Sequence, residues 1–74
     1  MKRMLRIVID DLEQHQTLRC AVGYVTMTYR ILPEIADLEG AVYCVSPELC
    51  DIIKRDVEQR YPVQVTCEEP WACD

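Results

Sequence analysis

The residues of this chain best able to bind a soft metal or exchange electrons are five cysteines, at positions 20, 44, 50, 67 and 73, and one histidine, His15. Their spacing does not suit zinc. Cys44 and Cys50, like Cys67 and Cys73, are separated by five residues, whereas a zinc knuckle separates its cysteines by about two to four. An odd number of cysteines without an export signal is also a poor disulfide framework. All five are therefore expected as thiols. Cys44 and Cys67 fall in predicted strands, where a small apolar side chain is wanted, and free cysteine is among the most buried residue types. Cys50, in the first turn of a predicted helix between Glu48 and Asp51, reads as a core cysteine rather than a reactive thiol. Cys73 is the accessible candidate because it lies near the terminus. A thiol redox or zinc protein ranks third among the functional readings.

Carboxylates are the other chemistry on offer. Asp10 and Asp11 follow the first predicted strand, and Glu68 and Glu69 follow the last. In a parallel α/β sheet these positions meet at the carboxyl ends of the strands, where function gathers. Converging carboxylates there would suit Mg²⁺, which prefers hard oxygen ligands. The plainer explanation is that acids at this edge cap helices and offset their dipoles. Asp10-Asp11-Leu12-Glu13 would repel a phosphate and contains no glycine, so nucleotide binding of the Rossmann or P-loop kind is not indicated. No Gly-x-Ser-x-Gly or His-Glu-x-x-His motif occurs. An enzyme or divalent-metal protein using Asp10, Asp11, Glu68 and Glu69 is the second reading. No cofactor and no specific metal ligand is expected.

Charge narrows the partners. Thirteen acidic against eight basic residues give a net charge of −5 and a pI near 4.7. Nucleic-acid binders need basic charge to displace counterions, and anionic lipid needs it too. Direct binding to either is disfavoured. No apolar run approaches the ~18 residues of a membrane span. The start, Met1 to Asp11, is too short and too charged for a signal peptide. A cytoplasmic address is expected. The 74 residues form one domain, 1–74, with a short acidic tail over 68–74.

The elements that must position these residues follow from periodicity. Leu5, Ile7 and Ile9 alternate with Arg6, Val8 and Asp10, which predicts a strand over about 3–10. Asp11 then makes a plausible helix N-cap, with Gln14 three residues on. Leu18, Val22, Val25, Tyr29 and Leu32 share one helical stripe, opposite Gln16, Arg19, Gly23, Thr26 and Arg30, which predicts a helix over 11–32. Many of these residues favour strands, so a strand is the alternative. Pro33 ends the helix, and 33–40 reads as an acidic connector pinned by Ile35 and Leu38. The apolar run Ala41 to Val45 predicts a central strand. Ser46-Pro47-Glu48 starts a helix, with Ser as cap, Pro in the first turn and Glu at the positive dipole end. That helix runs to Tyr61 and stops at Pro62. Val63, Val65 and Cys67 then alternate in a last strand.

The expected fold is α/β: a small two-layer β-α-β-α-β domain with a three-stranded, mainly parallel sheet and both helices on one face. The alternative is α+β, a ββαβ mixed sheet with one main helix. Phe is absent, and the core must be built from small aliphatics, Met and Cys. One core of this size rarely supplies more than ~3–5 kcal/mol, so an oligomer interface carries weight. Two surfaces suit a protein partner: the sheet face without helices, and a second apolar stripe on the first helix formed by Cys20, Tyr24, Met27 and Ile31. Tyr43 and Trp71 join them, Trp71 either as a lid on the core or as an anchor in a partner pocket. The acidic rim also suits a basic surface, and an inhibitor that imitates phosphate fits the same charge. The first reading is an acidic protein-binding module that acts through an apolar interface, by self-association as a homodimer or by regulatory or inhibitory binding to another protein.

Overall fold

A computed structural model describes residues 2–69. Strand β1 (Arg3–Val8) is followed by a short 3-10 turn (Leu12–Gln14) and helix α1 (His15–Tyr29). A two-residue strand, β2 (Ile35–Ala36), leads into β3 (Gly40–Val45), helix α2 (Pro47–Arg60) and β4 (Gln64–Glu68). The strands form one sheet in the order β2-β3-β1-β4, and every neighbouring pair is antiparallel. This is the β-α-β-β-α-β, split-βαβ arrangement of ferredoxin-like folds.

The parallel three-stranded sheet expected from the sequence is thus replaced by four antiparallel strands. The α+β class of the alternative fits this sheet, while the two helices match the first reading. The cause lies in the segment read as a connector. Asp37 donates its N–H to the carbonyl of Gly40 at 2.9 Å and accepts the N–H groups of Glu39 and Gly40 on its carboxylate at 2.9 and 3.0 Å. This Asx-type turn reverses the chain and pairs Ile35 with Val42 and Ala36 with Ala41. Strand β3 therefore runs back against β1, with Leu5 opposite Tyr43.

Side-chain caps open the 3-10 turn before α1 and helix α2 itself. Asp11 accepts the N–H of Glu13 at 3.0 Å to open the 3-10 turn, and Ser46 accepts the N–H of Leu49 at 3.2 Å, with Pro47 in the first turn of α2. Helix α1 ends before the expected Leu32, because Arg30 turns into the left-handed region at φ 56°. Along α2, Lys54–Glu58 and Asp56–Arg60 form i,i+4 ion pairs.

Both helices pack on one face of the sheet. The core there joins Leu5 and Ile7 of β1, Ala41, Tyr43 and Val45 of β3 and Val65 of β4 to Leu18, Ala21 and Val25 of α1 and Cys50, Ile53 and Val57 of α2. The opposite face carries Met4, Arg6, Val8, Val42, Gln64, Thr66 and Glu68, and Met4 and Val42 are buried even so.

The thiol expectation is also corrected. Cys50 and Cys67, on α2 and β4, form a disulfide with Cα atoms 6.3 Å apart, well inside the bridging range. Cys44 is disulfide-bonded too, and Cys20 is the free cysteine among the described residues. A sequence shows cysteine spacing along the chain. It does not show that α2 and β4 lie side by side.

Gly40 fixes the hairpin against β1. A Cβ there would stand 2.7 Å from the Ile7 carbonyl oxygen and 3.1 Å from Val8 Cγ1, and backbone cannot yield as a flexible side chain can. Gly40→Ala is expected to cost about 1–3 kcal/mol in urea denaturation. An unchanged midpoint would show that the hairpin does not lie this close to β1.

Candidate partner-binding site

Helix α1 touches the hairpin through His15, whose ring bonds the Leu38 carbonyl at 3.3 Å, without filling the space beside β2. Two cavities flank the β2–β3 hairpin. One, of about 260 Å³, lies between the hairpin and α1, with an apolar lining of Leu18, Val22, Gly23, Ala36 and Ala41 and with Arg19 and Asp37 at its margins. The other, of about 320 Å³, lies along Arg6, Val8, Ile9, Ile35, Asp37 and Glu39. Gly23 has open space where a Cβ would stand, so the helix wall of the first cavity is thin.

The edge beside them has unspent backbone. Glu34 donates to the Val42 carbonyl at 2.7 Å, and Asp37 donates to Gly40. Asp37 and Gly40 form the hydrogen-bonded pair and Ala36 pairs with Ala41 beside it, so by the alternation of an antiparallel ladder the N–H and C=O of Ala36 turn away from β3, and Ala36 is exposed. Glu34, Asp37 and Glu39 are exposed along the same edge.

The expected partner residues divide into two groups. Cys20 and Met27 are exposed on α1. Ile31 is half-buried and packs against the core. Tyr43 is fully buried and donates its hydroxyl to the Val22 carbonyl at 3.2 Å, so it belongs to the core and not to an outer surface. Burial pushes its phenol pKa up. Trp71 lies outside the described residues.

Tyr24 is taken up inside the molecule. Its hydroxyl and that of Tyr29 both donate to Asp56 Oδ2 at 2.6 Å, and Arg60 Nε donates to Asp56 Oδ1 at 2.8 Å. The Arg60 guanidinium also sits 4.7 Å from the Tyr24 ring centroid, and Tyr61 packs on Tyr24 at 6.0 Å. This node clamps α1 to α2. The hydrogen bonds from Tyr24, Tyr29 and Arg60 pull the Asp56 carboxyl down to about 2, and the bond to Asp56 pushes the Tyr29 phenol up to about 12. Nothing in the sequence periodicity points to it, since periodicity marks the apolar face of a helix and not the partners of a carboxylate.

The acidic edge is not assembled. Because β4 runs antiparallel to β1, Val8 faces Gln64 and Met4 faces Glu68. Asp10 and Asp11 therefore lie at one end of the sheet and Glu68 and Glu69 at the other. Asp10 accepts from Gln64 at 3.1 Å, Glu68 pairs with Arg6 at 3.4 Å, and Glu69 pairs with Arg3. Among the described residues, no group of three or more His, Cys, Asp or Glu is placed to hold a metal. No helix there is long and apolar enough to cross a membrane.

No protein-family model matches the chain, and no curated protein or solved structure does either. A split-βαβ topology by itself assigns no function.

The Asp56 node gives the fold a defined acid response. A carboxylate whose folded pKa lies below its usual 3.8 stabilises the fold above that value and loses the contribution as pH falls toward about 2. Asp56→Asn is expected to cost on the order of 1–2 kcal/mol at neutral pH, with the loss vanishing below the folded pKa. Thermal melts from pH 7 down to pH 2 check this, and a deficit that stays constant across that range would contradict it.

Proposed function

We propose that this chain is a protein-binding module that works through the surface around α1 and the β2 hairpin. The supporting observation is where exposed apolar side chains fall. Of the six large exposed hydrophobics among the described residues, four fall within residues 27–38, from the last turn of α1 through the hairpin: Met27 at 80%, Leu32 at 78%, Leu38 at 63% and Ile35 at 44% exposure. Single exposed leucines need no explanation, and the gathering of four large apolar side chains in one short segment supports an interaction surface there. Cys20, also exposed on α1, precedes the same segment. The partner is another protein or a second copy of this chain, as a homodimer.

An enzymatic or metal-dependent function has less support, because the carboxylates it would need are separated. The Cys50–Cys67 disulfide weighs against the cytoplasmic address, since reducing compartments keep thiols free.

The test is selective loss. Replacing Met27 and Leu32 together by Gln removes exposed apolar surface and is expected to change folding stability by no more than about 0.5 kcal/mol per site. Quantitative crosslinking and mass spectrometry is expected to recover partners with the natural chain and lose them with the double variant. Equal recovery by both would refute the surface assignment.

A further inference from the structure

We infer that the free edge of β2 takes up an extended segment of another protein by strand addition, and that this segment alternates apolar with basic residues. The inference rests on the protein-binding reading above and specifies its partner and its geometry.

Three observations support the mode of binding. Ala36 is exposed at the rim of the sheet and pairs with Ala41 next to the hydrogen-bonded pair of Asp37 and Gly40, so its N–H and C=O turn outward. An unpaired edge of this kind is a template for another strand. Helix α1 leaves a cavity of about 260 Å³ between itself and Ala36, so the helix side of that edge is not closed over. The two cavities lie on opposite sides of the hairpin, and the side chains of an added strand alternate between those sides. One set would enter the cavity of about 260 Å³ against Leu18, Val22 and Gly23. The other set would pass along the cavity of about 320 Å³, beside Ile35, Asp37 and Glu39.

Charge determines the chemistry of the occupant. The helix-side cavity is apolar in its floor, so the residues facing it are aliphatic. The other side offers the carboxylates of Asp37 and Glu39, and Glu34 stands at the start of the edge. Its one cation, Arg6, is already paired with Glu68 at 3.4 Å. Lysine or arginine on the incoming strand would meet these carboxylates. The same charges oppose a second copy of this chain. Two β2 edges paired antiparallel would bring Glu34, Asp37 and Glu39 of both copies to one seam, and like charges across paired strands destabilise them. Natural edges carry charge for this purpose, to refuse their own kind.

The experiment pans a phage library of random short peptides against the full-length, oxidised chain, with the Ala36→Pro variant as the counter-screen. Proline removes the edge N–H and is tolerated on an edge strand. The expected survivors alternate Val, Ile or Leu with Lys or Arg, bind at least about tenfold more weakly to Ala36→Pro, and lose affinity for Glu39→Lys. Hydrogen exchange on the natural chain then shows the Ala36 amide slowed by bound peptide. A circular dichroism spectrum of each variant establishes that it is folded, and Glu39→Lys, at an exposed turn, supplies an independent readout if Ala36→Pro is not. Survivors with apolar residues at helical spacing, bound equally by Ala36→Pro, would overturn strand addition and leave the protein-binding reading intact. A dimer that forms without peptide and protects Ala36 would overturn the choice of occupant. No enriched peptide, together with unchanged crosslinked partners in the Met27 and Leu32 double variant, would remove both.

Discussion

The close approach of Gly40 to the backbone of β1 governs the layout of this molecule. With no Cβ at that position, the hairpin carboxy-terminal to α1 can rest on the Ile7 carbonyl, and the Asp37 carboxylate ties the turn from within. The chain is therefore reversed before β3 begins. That reversal makes every strand pair antiparallel, and it adds β2 as a fourth, outermost strand. It also distributes the acids. Asp10 and Asp11 stay with the hairpin end of the sheet, while Glu68 and Glu69 go to the end that holds Arg3 and Arg6 and are neutralised there.

The helices follow from the same sheet. Two helices on one face cover β1, the inner part of β3 and β4 with a core of aliphatic residues around Tyr43. They are held to each other by a polar node, in which one carboxylate receives two phenols and a guanidinium, and α2 is held to β4 by a disulfide. At its other end α1 is tied to the hairpin, where His15 bonds the Leu38 carbonyl at 3.3 Å, and between these fastenings the cavity beside Ala36 stays open.

Much of this was legible in the sequence. The alternation of Leu5 and Ile7, the stripe from Leu18 to Tyr29, the apolar run of 41–45, the Ser46-Pro47-Glu48 start and the alternation of Val63, Val65 and Cys67 each located an element near its observed bounds. They did so because burial on one face imposes a period of two or of about 3.6. The strand β2 was not legible, since its two residues are exposed and carry no period. Its signal was the spacing of Asp37 and Gly40, which suits a hairpin turn but which an acidic connector also displays. Missing two residues reversed the sheet, and the acidic edge vanished with it. The disulfide and the Asp56 node were hidden for another reason. Both join residues 17 or more positions apart, and one sequence records no contacts across such distances. Cys20 and Met27 are exposed on α1, whereas Ile31 lies beyond the end of the helix and packs against the core, and Tyr24 and Tyr43 carry polar groups that found partners within the protein.

Amide hydrogen exchange on the dilute, oxidised chain, followed residue by residue by NMR, tests the bare β2 edge most directly. Glu34 and Asp37 are expected to be protected by their bonds to β3 and Ala36 to exchange at least about tenfold faster than either, because its amide faces solvent. Protection of Ala36 equal to that of Asp37 in a monomeric sample would contradict this, for the edge would then already be covered.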